Sequence, residues 1–512
     1  SVSHNISGVF IDNLTNIEGI KGSATVSNTL IGNNMNNTLI GGNQTDIIKG
    51  VSGNNSLSGG AGNDTIFAGT GSDTIDGGAG DDWLDYTDLA STNVSVNLRN
   101  NTATYGSSTD SITAIEHLKM GNGTNTVQGN SYSNSFIGGT GTDTLSYSEA
   151  ASGVTVNVTS AGAGTSSGDG ADVFTGFENY ILSGNADTAN LSGVFGSTID
   201  GGALSDTASY SSVAASLTVT VDSGNTSATV YDGTKTDTLQ NIEKIIGGDG
   251  NDTFIVSDVT GINTLDGDAG TNTLQLSGNI DLSGVTLLNF NNITVASGDT
   301  LTVNAVDLSG KTMNINMLGT GSLVIVSDGS NHNFSNISVT KGTGKVTLDV
   351  NINKDISGTN IHNIVDIFDV ASGSTLTLSY SQFNGHTGVG TGTLKLSDTS
   401  LTGTQIKSVN DASTNAIDLT NVTTISTATM AEMLEIVNNT GATFTTATNY
   451  AVTISDTSSA SDVNIVAGDT NGVVTATIVD GAVTTTLNAI GNVATTDVIT
   501  FTTTDTSVDA SD

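Results

Sequence analysis

From Asn28 to Leu84 the chain repeats itself every nine residues, and nothing else in the sequence limits its fold so sharply. Every ninth residue is Asn28, Asn37, Asp46, Asn55, Asp64, Asp73 and Asp82, and two places after each stands Leu30, Leu39, Ile48, Leu57, Ile66, Ile75 and Leu84. A strand of three residues points its middle side chain to one face, so each nonapeptide buries the one aliphatic group that stands two places after its Asn or Asp. The intervening Gly, Asn and Asp supply a tight turn. If two nonapeptides close one flattened coil, residues 18 apart stack: Asn28, Asp46, Asp64 and Asp82 on one edge, Asn37, Asn55 and Asp73 on the other. The fold class predicted is all-β, a right-handed parallel β-roll or β-helix.

The best-formed units, Gly59–Phe67 and Gly77–Asp85, match the nonapeptide of calcium-binding parallel β-helices. Glycine turns expose backbone carbonyls as hard oxygen ligands, and the following aspartate adds a carboxylate. Stacked carboxylates about 4.8 Å apart repel one another unless cations lie between them. The expected metal-site residues for several Ca2+ ions are Asp46, Asp64, Asp73, Asp82, Asp143 and Asp252 through their carboxylates, and Gly60, Gly62, Gly78 and Gly80, which shape the turns and offer backbone carbonyls. The strongest sites are expected between Asp46 and Asp64 and between Asp64 and Asp82. The Asn37/Asn55 edge should be weaker or empty, because a neutral amide does not offset dehydration of a divalent ion.

A longer repeat encloses the short one. Asp82–Tyr86 recurs as Asp143–Tyr147, Asp206–Tyr210 and Asn272–Leu276, at steps of 61, 63 and 66 residues. Between the copies stand alternating strands at Val94–Leu98, Val154–Val158 and Leu217–Val221, and acidic turns at Glu116, Glu178 and Glu243. Gly247–Ile255 is another full nonapeptide. Around Asp187, Ser197 and Asp206 the spacing slips by one residue, which argues against calcium there.

Beyond Leu276 the nonapeptides stop. The segments Gly319–Ile325, Gly342–Leu348 and Gly390–Leu396 share a turn-strand pattern with starts 23 and 48 apart, close to one and two longer coils. Thr429 and Glu432 form a capping-box pattern ahead of Met430, Met433, Leu434 and Val437, a short helix expected to plug the end or side of a β-domain. Asp480-Gly481 is a hairpin signal. The domains expected are 1–22, the end of a truncated repeat module; 23–276, the calcium-binding solenoid; 277–425, a second solenoid without calcium turns; and 426–512, a short helix with a small β-domain.

Composition excludes several functions. With 50 Asp and Glu against 12 Lys and Arg, the net charge of −38 repels nucleic acid and anionic membrane surfaces. No apolar run is long enough to span a membrane as a helix. No Cys is present, so no disulfide or thiolate site exists. The five histidines are scattered outside any HExxH, and the single GxSxG, Gly164–Gly168, reads as a turn. The chain is expected not to be an enzyme.

The segment from Ser23 to Leu276 resembles the repeats-in-toxin family of bacterial secreted proteins, most specifically at Gly59–Asp85 and Gly247–Ile255. That resemblance implies type I export through a one-step channel and folding triggered by extracellular calcium. The Thr/Ser-rich second half is similar in composition to bacterial surface-layer proteins and large adhesins. The function expected is a secreted structural protein of the bacterial cell surface. Its partners would be copies of itself in a lattice, and a cell-surface polysaccharide. The alternatives are an adhesin with a stiff solenoid spacer, and the calcium-binding tail of a secreted enzyme.

Overall fold

A computed structural model describes residues 18–222, 228–330, 332–439, 443–479 and 491–502. These residues are mostly β, wound into a parallel solenoid, with about 9% in helices. They fall into two compact units, one of residues 1–275 with 285–291, the other of 276–284 with 292–512.

In the first unit the 18-residue coil is observed. Strand Thr38–Gly42 pairs in parallel with Ser56–Ala61, and that with Thr74–Ala79, placing Leu39, Leu57 and Ile75 in one column. The facing sheet stacks Ile47–Lys49, Thr65–Phe67 and Trp83–Asp85, with Ile48, Ile66 and Leu84 in its column. All six aliphatic side chains are buried, the most exposed at 1%. Each contributes about 1.5–3 kcal/mol by leaving water, so a core one side chain deep on each face suffices without aromatic bulk.

Among the described residues of this unit the parallel winding is interrupted three times, which the alternating pattern does not reveal. Strand Thr102–Tyr105 runs antiparallel between Ser95–Asn97 and Ser108–Thr113. Ala163–Ser167 does so between Thr155–Ser160 and Val173–Thr175, and Ala228–Tyr231 between Thr218–Val221 and Thr236–Gln240. Each insertion lies within one long module. Period-two alternation is the same in a hairpin as in a parallel coil, and no Asn-Gly or Asp-Gly pair marks the first insertion, although Asp169-Gly170 and Asp232-Gly233 stand at turns of the other two. Gly164–Gly168, read as a turn, lies mostly in the middle strand of the second insertion, and Ser166 is buried there. Successive modules also change sheet. Trp83–Asp85 and Thr207–Ser209 lie in one sheet, Thr144–Ser146 and Thr273–Leu276 in the other.

In the second unit the coils lengthen. Leu301 stacks on Leu323, and Leu323 on Val346 one 23-residue coil later. The Gly390 copy of the turn-strand pattern is not two coils up the same column: Thr393–Leu396 belongs to a different sheet from Val346–Val350. Coils here range from 18 residues, Leu376 to Leu394, to 27, Ile425 to Val452, so no fixed step holds.

Helix Met430–Val437 has its capping box, Thr429 with Glu432. Its buried face is Met430, Met433 and Ile436, rather than the expected Leu434 and Val437. Helices Gly403–Asp411 and Ala460–Asp469 were not anticipated. Glycine, threonine and asparagine mask the first of these, although Thr402 and Gln405 form the same box. The predicted plug is therefore one member of a set of helices carried between strands of consecutive coils. From residue 426 the chain continues in parallel pairing: Thr424–Ala428 with Ala451–Ser458, then Val474–Val479 and Val498–Thr502. The hairpin signal at Asp480-Gly481 and most of the 1–22 segment lie outside the described residues.

Candidate metal centre

The ninth-residue acids form hydrogen-bonded ladders along the coil edges. On the first edge the Asn28 N–H donates to Asp46 Oδ1 at 2.6 Å, Asp46 N–H to Asp64 Oδ1 at 2.7 Å, and Asp64 N–H to Asp82 Oδ1 at 2.7 Å. On the opposite edge Asn37 N–H donates to Asn55 Oδ1 at 2.9 Å and Asn55 N–H to Asp73 Oδ1 at 2.6 Å. Every turn thus spends one side-chain oxygen on the amide of the coil before it.

The second oxygen distinguishes the turns. Oδ2 of Asp46, Asp64, Asp73, Asp82, Asp143 and Asp206 is buried and has no hydrogen-bond partner. A buried unpaired carboxylate oxygen is costly, on the order of 1–3 kcal/mol or more for a charged group. The surroundings worsen the cost. A β-carbon on Gly59 would overlap both Asp64 Oδ2 and the Gly77 carbonyl, and one on Gly41 both Asp46 Oδ2 and the Gly59 carbonyl. Acceptor therefore faces acceptor from coil to coil.

The sequence makes this crowding feasible. Gly60 and Gly78 hold φ of 108° and 105°, Gly62 and Gly80 of 108° and 148°, which residues with a β-carbon avoid. At Gly78 a β-carbon would also collide with the Gly60 carbonyl. Burial, opposed by the ladder hydrogen bonds and reinforced by neighbouring acids, pushes the carboxyls of Asp64 and Asp82 up to about 6. Asp143 also rises to about 6 and Asp206 to about 7, with burial the leading cause.

This donor set fits calcium. Among the described residues no three acidic or imidazole side chains converge on a point. An ion here must take carboxylate oxygens singly and complete its shell with turn carbonyls, which suits a hard cation of flexible coordination. A cation between Asp64 Oδ2 and the glycine carbonyls would turn the repulsive array into an attractive one.

The other predicted positions divide. Asp143 joins the unpaired set, its Oδ1 accepting the Asn125 N–H at 2.8 Å. Asp252 does not: its Oδ1 accepts from Leu217 N–H at 2.8 Å and its Oδ2 from Gly248 N–H at 2.7 Å. Asp206, where the slipped spacing argues against calcium, nevertheless belongs to the unpaired set. The one-residue slip is absorbed by a longer coil, in which Asp187 N–H donates to Asp206 Oδ1 at 2.7 Å. The Gly-Gly pair before it, Gly201-Gly202, was the available signal.

The acidic turns also have a place. Oε2 of Glu116, Glu178 and Glu243 accepts the N–H of Asp82, Asp143 and Asp206 at 2.9, 2.9 and 2.7 Å, extending each ladder across a module boundary. A third set, Asp110, Asp172 and Asp237, sits in the antiparallel insertions. Their Oδ2 atoms accept buried tyrosine hydroxyls, from Tyr86 at 2.9 Å, Tyr147 at 2.7 Å and Tyr210 at 3.0 Å.

The family model for the RTX calcium-binding nonapeptide repeat matches residues 26–57, 49–84 and 121–149, in four copies. These stretches contain Asp46, Asp64, Asp73, Asp82 and Asp143. No curated protein matches the chain. Its nine-residue register, its ladders of buried acids and this match together show that the chain carries RTX calcium-binding nonapeptide repeats, which bind several calcium ions and are typical of secreted proteins.

Proposed function

We propose that the chain is a non-catalytic structural protein of the bacterial cell surface, whose calcium-hardened coils pack side by side with other copies into a surface layer. The observation that carries this reading is how little of the described chain departs from repetitive scaffolding. Among the described residues coil follows coil within each unit, with acid ladders in the first and packed helices in the second. A surface hollow of about 370 Å³ between Phe334, Lys341 and Asn360 holds no pair of acids and no nucleophile beside a base, and its Lys341 is bound to Asp366. A protein whose role is to be stiff and repetitive needs nothing more.

Acidic copies packed side by side repel one another, so calcium between neighbours and a surface polysaccharide beneath them are the partners that fit the charge. Electron microscopy of the purified chain with millimolar calcium, and then with chelator, tests the proposal. Ordered sheets that form with calcium and dissolve without it are expected. Single rods under both conditions, or retention on a host glycan without sheets, would replace the lattice with an adhesin.

A further inference from the structure

The calcium turns and the asparagine turns share one backbone plan but end it differently. At Asn272 the side-chain nitrogen takes the place that Oδ2 has in an aspartate turn: a β-carbon on Gly267 would overlap Asn272 Nδ2 and the Asn289 carbonyl, as one on Gly59 would overlap Asp64 Oδ2 and the Gly77 carbonyl. Asn272 Nδ2 donates to the carbonyls of Gly267 at 2.8 Å, Ala269 at 2.9 Å and Asn289 at 3.0 Å. Asn125 repeats the arrangement with one added partner. Its Nδ2 donates to Asp143 Oδ1 at 2.9 Å and faces the carbonyls of Gly121 at 3.1 Å, Gly123 at 3.0 Å and Gly138 at 3.1 Å. Both asparagines are fully buried. Their Oδ1 atoms still serve the ladder, accepting from Val94 N–H at 3.1 Å and Asp252 N–H at 2.9 Å.

We infer that Asn125 and Asn272 are selector residues that close their turns without metal, and that each of these turns is a complete calcium cradle lacking only a carboxylate. The amide N–H groups do directly what a carboxylate does through a cation: they satisfy the glycine-turn carbonyls. The remaining ligands of a calcium site are already in place, since the same carbonyls converge within hydrogen-bond range of one atom. The ion count of the solenoid is then set turn by turn, by whether the ninth residue brings a charge or its own donors.

The inference rests on the calcium reading above, and the experiment separates the two. Bound calcium is counted by elemental analysis of the full chain after equilibrium dialysis, for the wild type and for Asn125→Asp and Asn272→Asp. Each substitution should add about one ion per chain. An unchanged count in variants with wild-type circular dichroism would overturn the selector role, whereas a wild type without calcium would overturn the calcium reading itself. If a variant does not fold, hydrogen exchange on the wild type decides. On chelation the amides of Val94 and Asp252 should keep their protection at least tenfold longer than those of Asp46 and Asp64. Equal loss would refute the inference.

Discussion

Acid should replace calcium as the agent that stabilises the first unit. In chelator, burial pushes the carboxylates of Asp64, Asp82 and Asp143 up to about 6, and Asp206 to about 7, from the ordinary aspartate value of about 3.9. A group whose folded pKa lies above its unfolded one stabilises the fold when protonated. That contribution is full below about pH 4 and is lost as pH rises through 6 to 7. Each proton bound only in the folded state adds about 1.4 kcal/mol per pH unit. Between pH 7 and pH 5 this amounts to about 1 kcal/mol for each of the first three carboxylates and about 2 kcal/mol for Asp206, reduced where water screens the turn edge. The assay is urea unfolding followed by circular dichroism, in chelator, at pH 8, 7, 6 and 5. The midpoint should climb as pH falls. With saturating calcium the trend should reverse, because protons then compete with the ion for Oδ2. A metal-free midpoint that stays level or drops between pH 7 and pH 5 would refute the reasoning, since it would mean that the carboxylates do not oppose folding.

Asp206→Asn should remove about one bound ion, whereas Asp252→Asn should leave the ion count unchanged because both Asp252 oxygens are already hydrogen-bonded; elemental analysis distinguishes them. Ile66→Ala, at a fully buried position between Ile48 and Leu84, should cost about 2–5 kcal/mol and lower the calcium-loaded melting temperature. Tyr147→Phe removes the hydroxyl that bonds Asp172 Oδ2 at 2.7 Å and should cost about 1–3 kcal/mol in both calcium and chelator, measured as a shift in urea midpoint.

Much of the first unit was legible because its physics is local. Nine residues set one turn, one strand and one inward side chain, so counting from Asn28 locates both edges and both inward columns, Leu39 to Ile75 and Ile48 to Leu84. What escaped depends on partners distant in sequence. Asp110, Asp172 and Asp237 look like ordinary strand acids until the insertion brings them onto a ladder beside a tyrosine 24 to 27 residues earlier. Asp206 was discounted because strict spacing was demanded, yet a loop can take up one extra residue at little cost. In the second unit, inward strand residues such as Leu323 and Leu348 followed the pattern. Helix Gly403–Asp411 did not, because its stability comes from Ile406 and Val409 packing inward and from its capping box rather than from helix propensity.

The central claim is that unpaired buried carboxylate oxygens mark the calcium positions. Diffraction from calcium-loaded crystals at a wavelength where calcium scatters anomalously tests it most directly. Peaks are predicted within about 2.3–2.6 Å of Oδ2 of Asp64 and Asp82. None is predicted at Asn125, Asn272 or Asp110. Peaks on the asparagine turns, or bare carboxylates at Asp64 and Asp82 in saturating calcium, would contradict the account.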